Sequence, residues 1–332
     1  MNHVAILGSG SWGTALAFAA AQKSPRVTLW GHQAAAATAI NRSRENARYL
    51  SGIPLPGHLK ATSDFAALAD AGLVLAVVPS KALRQVAGDL KASGHLRPDA
   101  ILLCCIKGIE MGTGLTMSGI LQEIFPDNPL AVLSGPNHAE EIARKLAAAA
   151  VIGSLNESVS LRLQDFFTLP WFRTYRSTDV TGIEWGGAVK NVFAIASGIS
   201  EGLALGDNAR AALVTRGLAE MTRLGMAAGG RFQTFQGLSG VGDLIVTCYS
   251  KHSRNNRVGR LLGEGQTLPD ITAQMNMVAE GVPNTESIHA AARRYNIRTP
   301  IIDQMYAILY QGKPCAAALT ELLSRDPRAE SD

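Results

Sequence analysis

A chain of 332 residues with 47% hydrophobic and 17% charged residues has ample material for a buried core, enough for about two domains, and does not read as disordered. Its formal net charge of +4 is mild for this length and is not the dense basic footprint of a nucleic-acid binder; it fits an anionic small molecule as well as any other partner. No C-x-x-C spacing joins Cys104, Cys105, Cys248 and Cys315, so no metal site and no disulfide framework are expected, and reduced structural cysteines fit a cytoplasmic protein.

The apolar start of the chain lacks a basic n-region and is interrupted by Gly8, Gly10 and Gly13, unlike a secretory signal. No other stretch reaches the roughly 18 uninterrupted apolar residues of a membrane span. Short apolar runs then recur between Ala-rich amphipathic stretches: Val4–Leu7, Val27–Trp30, Leu73–Val78, Ile101–Ile106, Leu130–Leu133 and Ala149–Ile152. Continuous runs of this kind predict buried parallel strands, and their interleaving with helices predicts a doubly wound α/β sheet. Cys104 and Cys105, as strand neighbours, are expected to point to opposite faces.

The first run leads directly into Gly8-Ser9-Gly10-Ser11-Trp12-Gly13, a full G-x-G-x-x-G followed by the helix-forming Thr14–Ala21. Between a strand and a helix each glycine has its own role. Gly8 permits the tight turn, Gly10 lets a pyrophosphate approach the backbone, and Gly13 allows close helix–strand packing. The helix N-terminus then faces the phosphates. The pattern predicts a Rossmann-like dinucleotide site, the alternative being a Gly-rich turn that holds no ligand. At the end of the second strand, Gly31-His32 stands where an NAD-selective site places an acid for the ribose 2′-hydroxyl. Its absence leaves both NAD and NADP open, with His32 either a ribose contact or a surface loop residue and Arg42, Arg44 or Arg48 nearby for a 2′-phosphate.

After residue 180 the rhythm becomes helical, in Ile183–Ile199, Ala209–Ala228, Ile271–Val278, Thr285–Tyr295 and Ile301–Leu309. An all-helical second domain is expected, dividing the chain into a dinucleotide-binding part (1–180) and a substrate-binding part (181–332). Lys107 and the segment Ser134–Ala139 each follow a strand, at the sheet edge where ligands bind. Lys190 lies in the small, apolar Gly186-Gly187-Ala188-Val189-Lys190-Asn191. Such a lysine either reaches solvent along the helix or is buried, and burial beside Lys107 would lower its pKa into the range useful to a proton donor. Asp243 in Gly240-Val241-Gly242-Asp243 precedes a basic cluster, Ser253–Arg257; there Ser253 is expected to cap a helix through Leu262, Gly263 to end it, and Arg254 to meet an anion or solvent.

In combination and in order, GxGxWGTALA, LWGH, IKGIE, SGP, GGAVKNVFAIASGI, GVGDL and SRNNRVGRLLGEG resemble the bacterial-type NAD(P)-dependent glycerol-3-phosphate dehydrogenases, from Gly8 to about Leu323. The resemblance implies reduction of dihydroxyacetone phosphate to sn-glycerol 3-phosphate for phospholipid synthesis, a cytoplasmic homodimer and no membrane span. It implies that Ser11, Trp12, His32, Lys107 and Ala139 face NAD or NADP, that Val278 and Glu280 close over the cofactor with Arg254 nearby, and that Lys190 is the proton donor and acceptor. Lys107 and Asp243 would assist it, and Lys107, Gly135, Asn137, Lys190, Asp243, Ser253, Arg254 and Asn255 would surround the substrate. Many members carry Ser or Thr at the position of Asn137, so an amide would have to take over that hydroxyl contact. The rival readings are a dehydrogenase of similar build acting on a hydroxy acid, which leaves SRNNR and IKG together without a reason, and a non-catalytic dinucleotide sensor, which would not need Lys107, Lys190 and Arg254.

Overall fold

The computed structural model describes residues 1–275, 277–327 and 329–330. In its first part β1 (Val4–Leu7), α1 (Ser11–Ala20), β2 (Val27–Trp30), α2 (Ala34–Ser43), β3 (Leu59–Thr62), β4 (Leu73–Ala76), α3 (Leu83–Ser93), β5 (Ile101–Cys104), α4 (Met117–Ile124) and β6 (Leu130–Ser134) alternate as the apolar runs predict. α5 (Ala139–Ala143), β7 (Ala148–Gly153), α6 (Glu157–Phe167) and β8 (Phe172–Ser177) complete an eight-stranded sheet of order β3-β2-β1-β4-β5-β6-β7-β8. Strand order reverses between β1 and β4, which places the Gly-rich turn at the switch point of a doubly wound sheet. Cys104 packs into the core on one face of the sheet and Cys105 into the core on the other.

Three expectations need correction. Ala149–Ile152 is a strand, but β7 runs antiparallel to β6, because the connection through the five-residue α5 packs on α1 and returns alongside β6. Two strands, β3 and β8, lack continuous apolar runs. Both are sheet edges with alternating burial, as in Phe172-Arg173-Thr174-Tyr175, so only every second side chain needs to be apolar. The helix expected over Ile271–Val278 is confined to Leu268–Ala273, with Thr267 accepting from the Asp270 N–H as its cap; Asn276 lies outside the described residues.

From residue 180 onward the described chain is helical: α7 (Val180–Gly202), α8 (Gly206–Ala227), α9 (Phe232–Phe235), α10 (Asp243–Tyr249), α11 (Arg254–Gly263), α12 (Leu268–Ala273), α13 (Gly281–Arg294), α14 (Pro300–Gln311) and α15 (Cys315–Leu323). α7 is buried without a break from Gly182 to Ser200, an all-round burial that suits its Gly, Ala, Val, Ile and Phe content. Its closest partner is α11, and both helices present glycines four residues apart: Gly198 and Gly202 on one, Gly259 and Gly263 on the other. A Cβ on Gly198 would stand 2.0 Å from the Asn256 carbonyl oxygen, and one on Gly259 would stand 1.9 Å from that of Ile195. Backbone therefore meets backbone, and the start of α11 is fixed against the middle of α7, where Lys190 lies.

The helical part is tied to the sheet by buried polar contacts. Glu184 of α7 accepts from the Ser118 N–H (2.8 Å) and hydroxyl (2.5 Å) at the start of α4. Replacing Gly259 with Ala should force the two helices apart and cost about 2 kcal/mol, of the order seen for overpacking. Urea unfolding monitored by circular dichroism checks this, and an unchanged midpoint would show that the crossing relaxes freely.

Candidate active site

The turn from β1 into α1 has the shape its three glycines predict. Gly8 has φ +124°, and a Cβ there would lie 2.6 Å from the carbonyl oxygen of Val77, just past the end of the neighbouring β4. On Gly13 a Cβ would be 1.8 Å from the Gly8 oxygen, whereas Gly10 has open space around it. No side chain caps α1, so its N-terminal N–H groups and dipole remain for an anion. Asn46, which the sequence did not single out, holds the turn by donating to the Ser9 oxygen (2.8 Å) and to Thr14 Oγ1 (2.7 Å). A pyrophosphate fits this cradle.

Ser11 and Trp12 lie in the first turn of α1, and Ala139 begins α5, which packs on α1. His32 is exposed just past β2, beside the Gly-rich turn. Of the arginines near it, Arg44 donates through Nη2 to the oxygens of Leu55, Pro56 and Leu59; Arg42 and Arg48 are exposed.

Beyond β5 and β6 the two parts of the chain meet at one carboxylate. Asp243, 1% exposed, begins α10 directly after a turn of π-helix at Leu238–Gly242. Its Oδ2 accepts from Lys107 Nζ at 2.5 Å and its Oδ1 from Lys190 Nζ at 2.5 Å. Lys107 also donates to the Gly135 oxygen (3.1 Å) and Lys190 to Thr247 Oγ1 (2.6 Å). Thr247 was missed in the sequence, although it stands one helical turn after Asp243 and therefore shares its face.

Lys190 is 6% exposed, which settles the choice between a solvated and a buried lysine. Burial lowers its pKa to about 8, with repulsion from Lys107 acting in the same direction and the Asp243 carboxylate opposing both. Burial alone would raise the pKa of Asp243, but Lys107 and Lys190 outweigh it and hold the carboxyl below its usual range. The cluster thus carries two ammonium groups on one carboxylate, with a lysine close to neutral in its titration.

Polar atoms without protein partners collect beside this cluster, at the end of β6 and in the segment after it. Ser134 Oγ, Asn137 Oδ1 and His138 Nε2 are all buried and unpaired, while Asn137 Nδ2 donates to the Ala149 oxygen (2.9 Å). A buried polar atom without a protein partner calls for an ordered water or a functional contact. Asn137 Oδ1 is one such free acceptor.

Ser253 caps α11 as its position predicts, accepting from the Asn256 N–H (3.1 Å) and leaving other first-turn N–H groups for an anion. Asn255 donates to Asn191 Oδ1 (2.9 Å) and accepts from the Gly281 N–H (2.9 Å), so the α11 start is joined to the residue next to Lys190. Arg254 donates one bond to the Val278 oxygen (2.7 Å) and keeps its other guanidinium donors. Val278 is half exposed, and the Glu280 carboxylate accepts from the backbone N–H (3.1 Å) and hydroxyl of Ser80 at the opposite side of the cleft.

Residues 3–160 match the family profile described as the NAD-dependent glycerol-3-phosphate dehydrogenase N-terminus, and residues 179–320 match the corresponding C-terminus. The NAD(P)+ glycerol-3-phosphate dehydrogenase of Moorella thermoacetica is 47% identical over 324 residues, 96% of each chain. That of Carboxydothermus hydrogenoformans is 44% identical over 330 residues, 98% of each. A crystal structure of glycerol-3-phosphate dehydrogenase from Coxiella burnetii superposes with a TM-score of 0.94 at 39% identity, covering 98% of this chain and 99% of that one. With two matching halves, full-length relatives and the same fold, the chain belongs to the NAD-dependent glycerol-3-phosphate dehydrogenase family.

Proposed function

We propose that the protein is an NAD(P)-dependent sn-glycerol-3-phosphate dehydrogenase that reduces dihydroxyacetone phosphate to sn-glycerol 3-phosphate, supplying glycerophospholipid synthesis in the cytoplasm as a homodimer. The observation that carries the reading is the buried Lys190, held on Asp243 opposite Lys107, which follows the end of β5. Sharing of its carboxylate keeps Lys190 from being locked into its charged form. Exposed apolar side chains on the helical part, Met226, Phe232, Ile245 and Tyr249, supply surface for pairing. The division into parts 1–180 and 181–332 follows the change from sheet to helices.

The bound nicotinamide supplies the hydride. The protein's own work is to bind, orient and move one proton. Gly8, Gly10 and Gly13 shape the dinucleotide cradle, Ser11, Trp12, Ala139 and His32 line it, and Val278 and Glu280 cover it, held by Arg254 and Ser80. Arg254, the Ser253–Asn255 backbone and the dipole of α11 receive the substrate phosphate. Gly135, Asn137 and Lys107 orient the three-carbon chain. Lys190 Nζ gives its proton to the oxygen at C2 as that carbon becomes an alcohol, and takes it back in the reverse direction. Asp243 and Lys107 compensate and tune the charge that this transfer leaves behind.

Initial rates of NADPH and NADH oxidation with dihydroxyacetone phosphate as the sole carbonyl test the assignment: saturable turnover supports it, and folded protein that binds dinucleotide without turnover refutes it. Lys190→Ala should lower kcat by about 10²–10⁴-fold, the usual range for a lost general acid, with dinucleotide affinity unchanged. A kcat near that of the wild type would remove Lys190 from the mechanism. Because the donor must be charged for reduction and neutral for oxidation, reduction should fall, and oxidation of glycerol 3-phosphate rise, as pH passes through about 8. Matching pH profiles in the two directions would contradict that role.

A further inference from the structure

Lys107 belongs to the sheet part of the chain, yet its ammonium must meet Asp243 on a helix of the other part. Its backbone is gripped from both sides. On its own side Glu110, three residues on, forms a paired contact with Arg84, Oε1 to Nε at 2.7 Å and Oε2 to Nη2 at 2.8 Å. From the helical part Asn284 of α13, 1% exposed, donates Nδ2 to the Lys107 carbonyl oxygen at 3.1 Å. Gly108 leaves no room for movement there: a Cβ on it would lie 2.8 Å from Ser80 Cβ and 3.1 Å from Asn284 Oδ1. One turn before Asn284, Glu280 holds Ser80.

We propose that Asn284 is a positioning residue for the reaction: by holding the Lys107 carbonyl from across the cleft, it keeps the Lys107 ammonium on Asp243 and thereby governs the proton donor Lys190. The inference rests on Lys190 being that donor. Four titratable groups act electrostatically with Lys190: Asp243 and Cys248 from α10, Lys107 from the loop after β5, and His138 from the segment after β6. Burial pushes the Cys248 thiol up to about 12 and pushes His138 below its ordinary 6.5, so both are neutral between those limits. Lys107 and Asp243 are then the charges that set the behaviour of Lys190. If Lys107 drifts from Asp243, its repulsion of the Lys190 ammonium weakens and the carboxylate turns to Lys190 alone. Both changes stabilise charged Lys190, so its titration moves upward.

The test reads Lys190 directly. Its reactivity toward acetic anhydride is measured from pH 6.5 to 10.5 by mass spectrometry of the peptide containing it, in the wild type and in Asn284→Ala. The midpoint should rise by about half a pH unit or more, a roughly threefold change in proton affinity. An unchanged midpoint overturns the proposal, and so does a rise of the same size in a Lys107→Met background, because exposing Lys190 to water would raise its midpoint without any action through Lys107. Should Asn284→Ala fail to fold, Asn284→Ser removes the same amide with less loss of contact and is judged by the same criterion. Labelling needs no turnover, so it decides the role of Asn284 even if the wild type proves inactive with dihydroxyacetone phosphate, the outcome that would refute the functional reading itself.

Discussion

A single buried carboxylate shared by two lysines is the contact on which the rest of this structure depends. Asp243 is enclosed almost completely, and an ion placed there is costly unless it is paired. Its two oxygens are taken by one ammonium from the sheet part and one from α7. Removing either lysine would leave the carboxylate to a single ammonium, and with both in place the two halves of the chain are joined at the proposed reacting centre. A single oxygen for each lysine also explains why Lys190 is not locked as an ion pair: burial and the second ammonium work against the one carboxylate.

Holding such a cluster requires backbones that do not move. The α7–α11 contact, with glycines on both faces, places Lys190 and the start of α11, the proposed phosphate site, on one rigid unit. Glu184 fixes α7 to α4, and the Glu280–Ser80 and Asn284–Lys107 contacts fix α13 to the strand ends. These bonds join residues 66, 200 and 177 positions apart in sequence, so the cleft geometry emerges only when both parts have folded.

Where local chemistry alone determines the outcome, the sequence was legible. The Gly8–Gly13 turn, the Ser253 cap and the internal strands each follow from a few adjacent residues and appear as expected, except that β7 runs antiparallel to β6. The edge strands β3 and β8 did not announce themselves because a half-exposed edge has no continuous apolar run. Lys190 was recognisable as unusual, but whether it was buried depended on how α10 and α11 pack around it. Asn46, Thr247 and Asn284 were invisible for the same reason, since their partners are fixed by tertiary packing. The paired glycines of α7 and α11 were a signal that went unread, because a four-residue spacing of glycines on two helices marks a close crossing. The bonds from Arg44 Nη2 to the backbone oxygens of Leu55, Pro56 and Leu59 were likewise not legible, because they depend on how the following loop folds back.

The measurement that tests the shared carboxylate most directly is the initial rate of NADPH and NADH oxidation with dihydroxyacetone phosphate for Asp243→Asn beside the wild type, with dinucleotide binding followed by fluorescence. Neutralising the bridge should cost about 10³-fold or more in kcat, as for loss of a preorganised charge at a reacting centre, while dinucleotide affinity stays the same. A variant that still turns over within about tenfold of the wild type, a difference of only about 1.4 kcal/mol, would contradict the account.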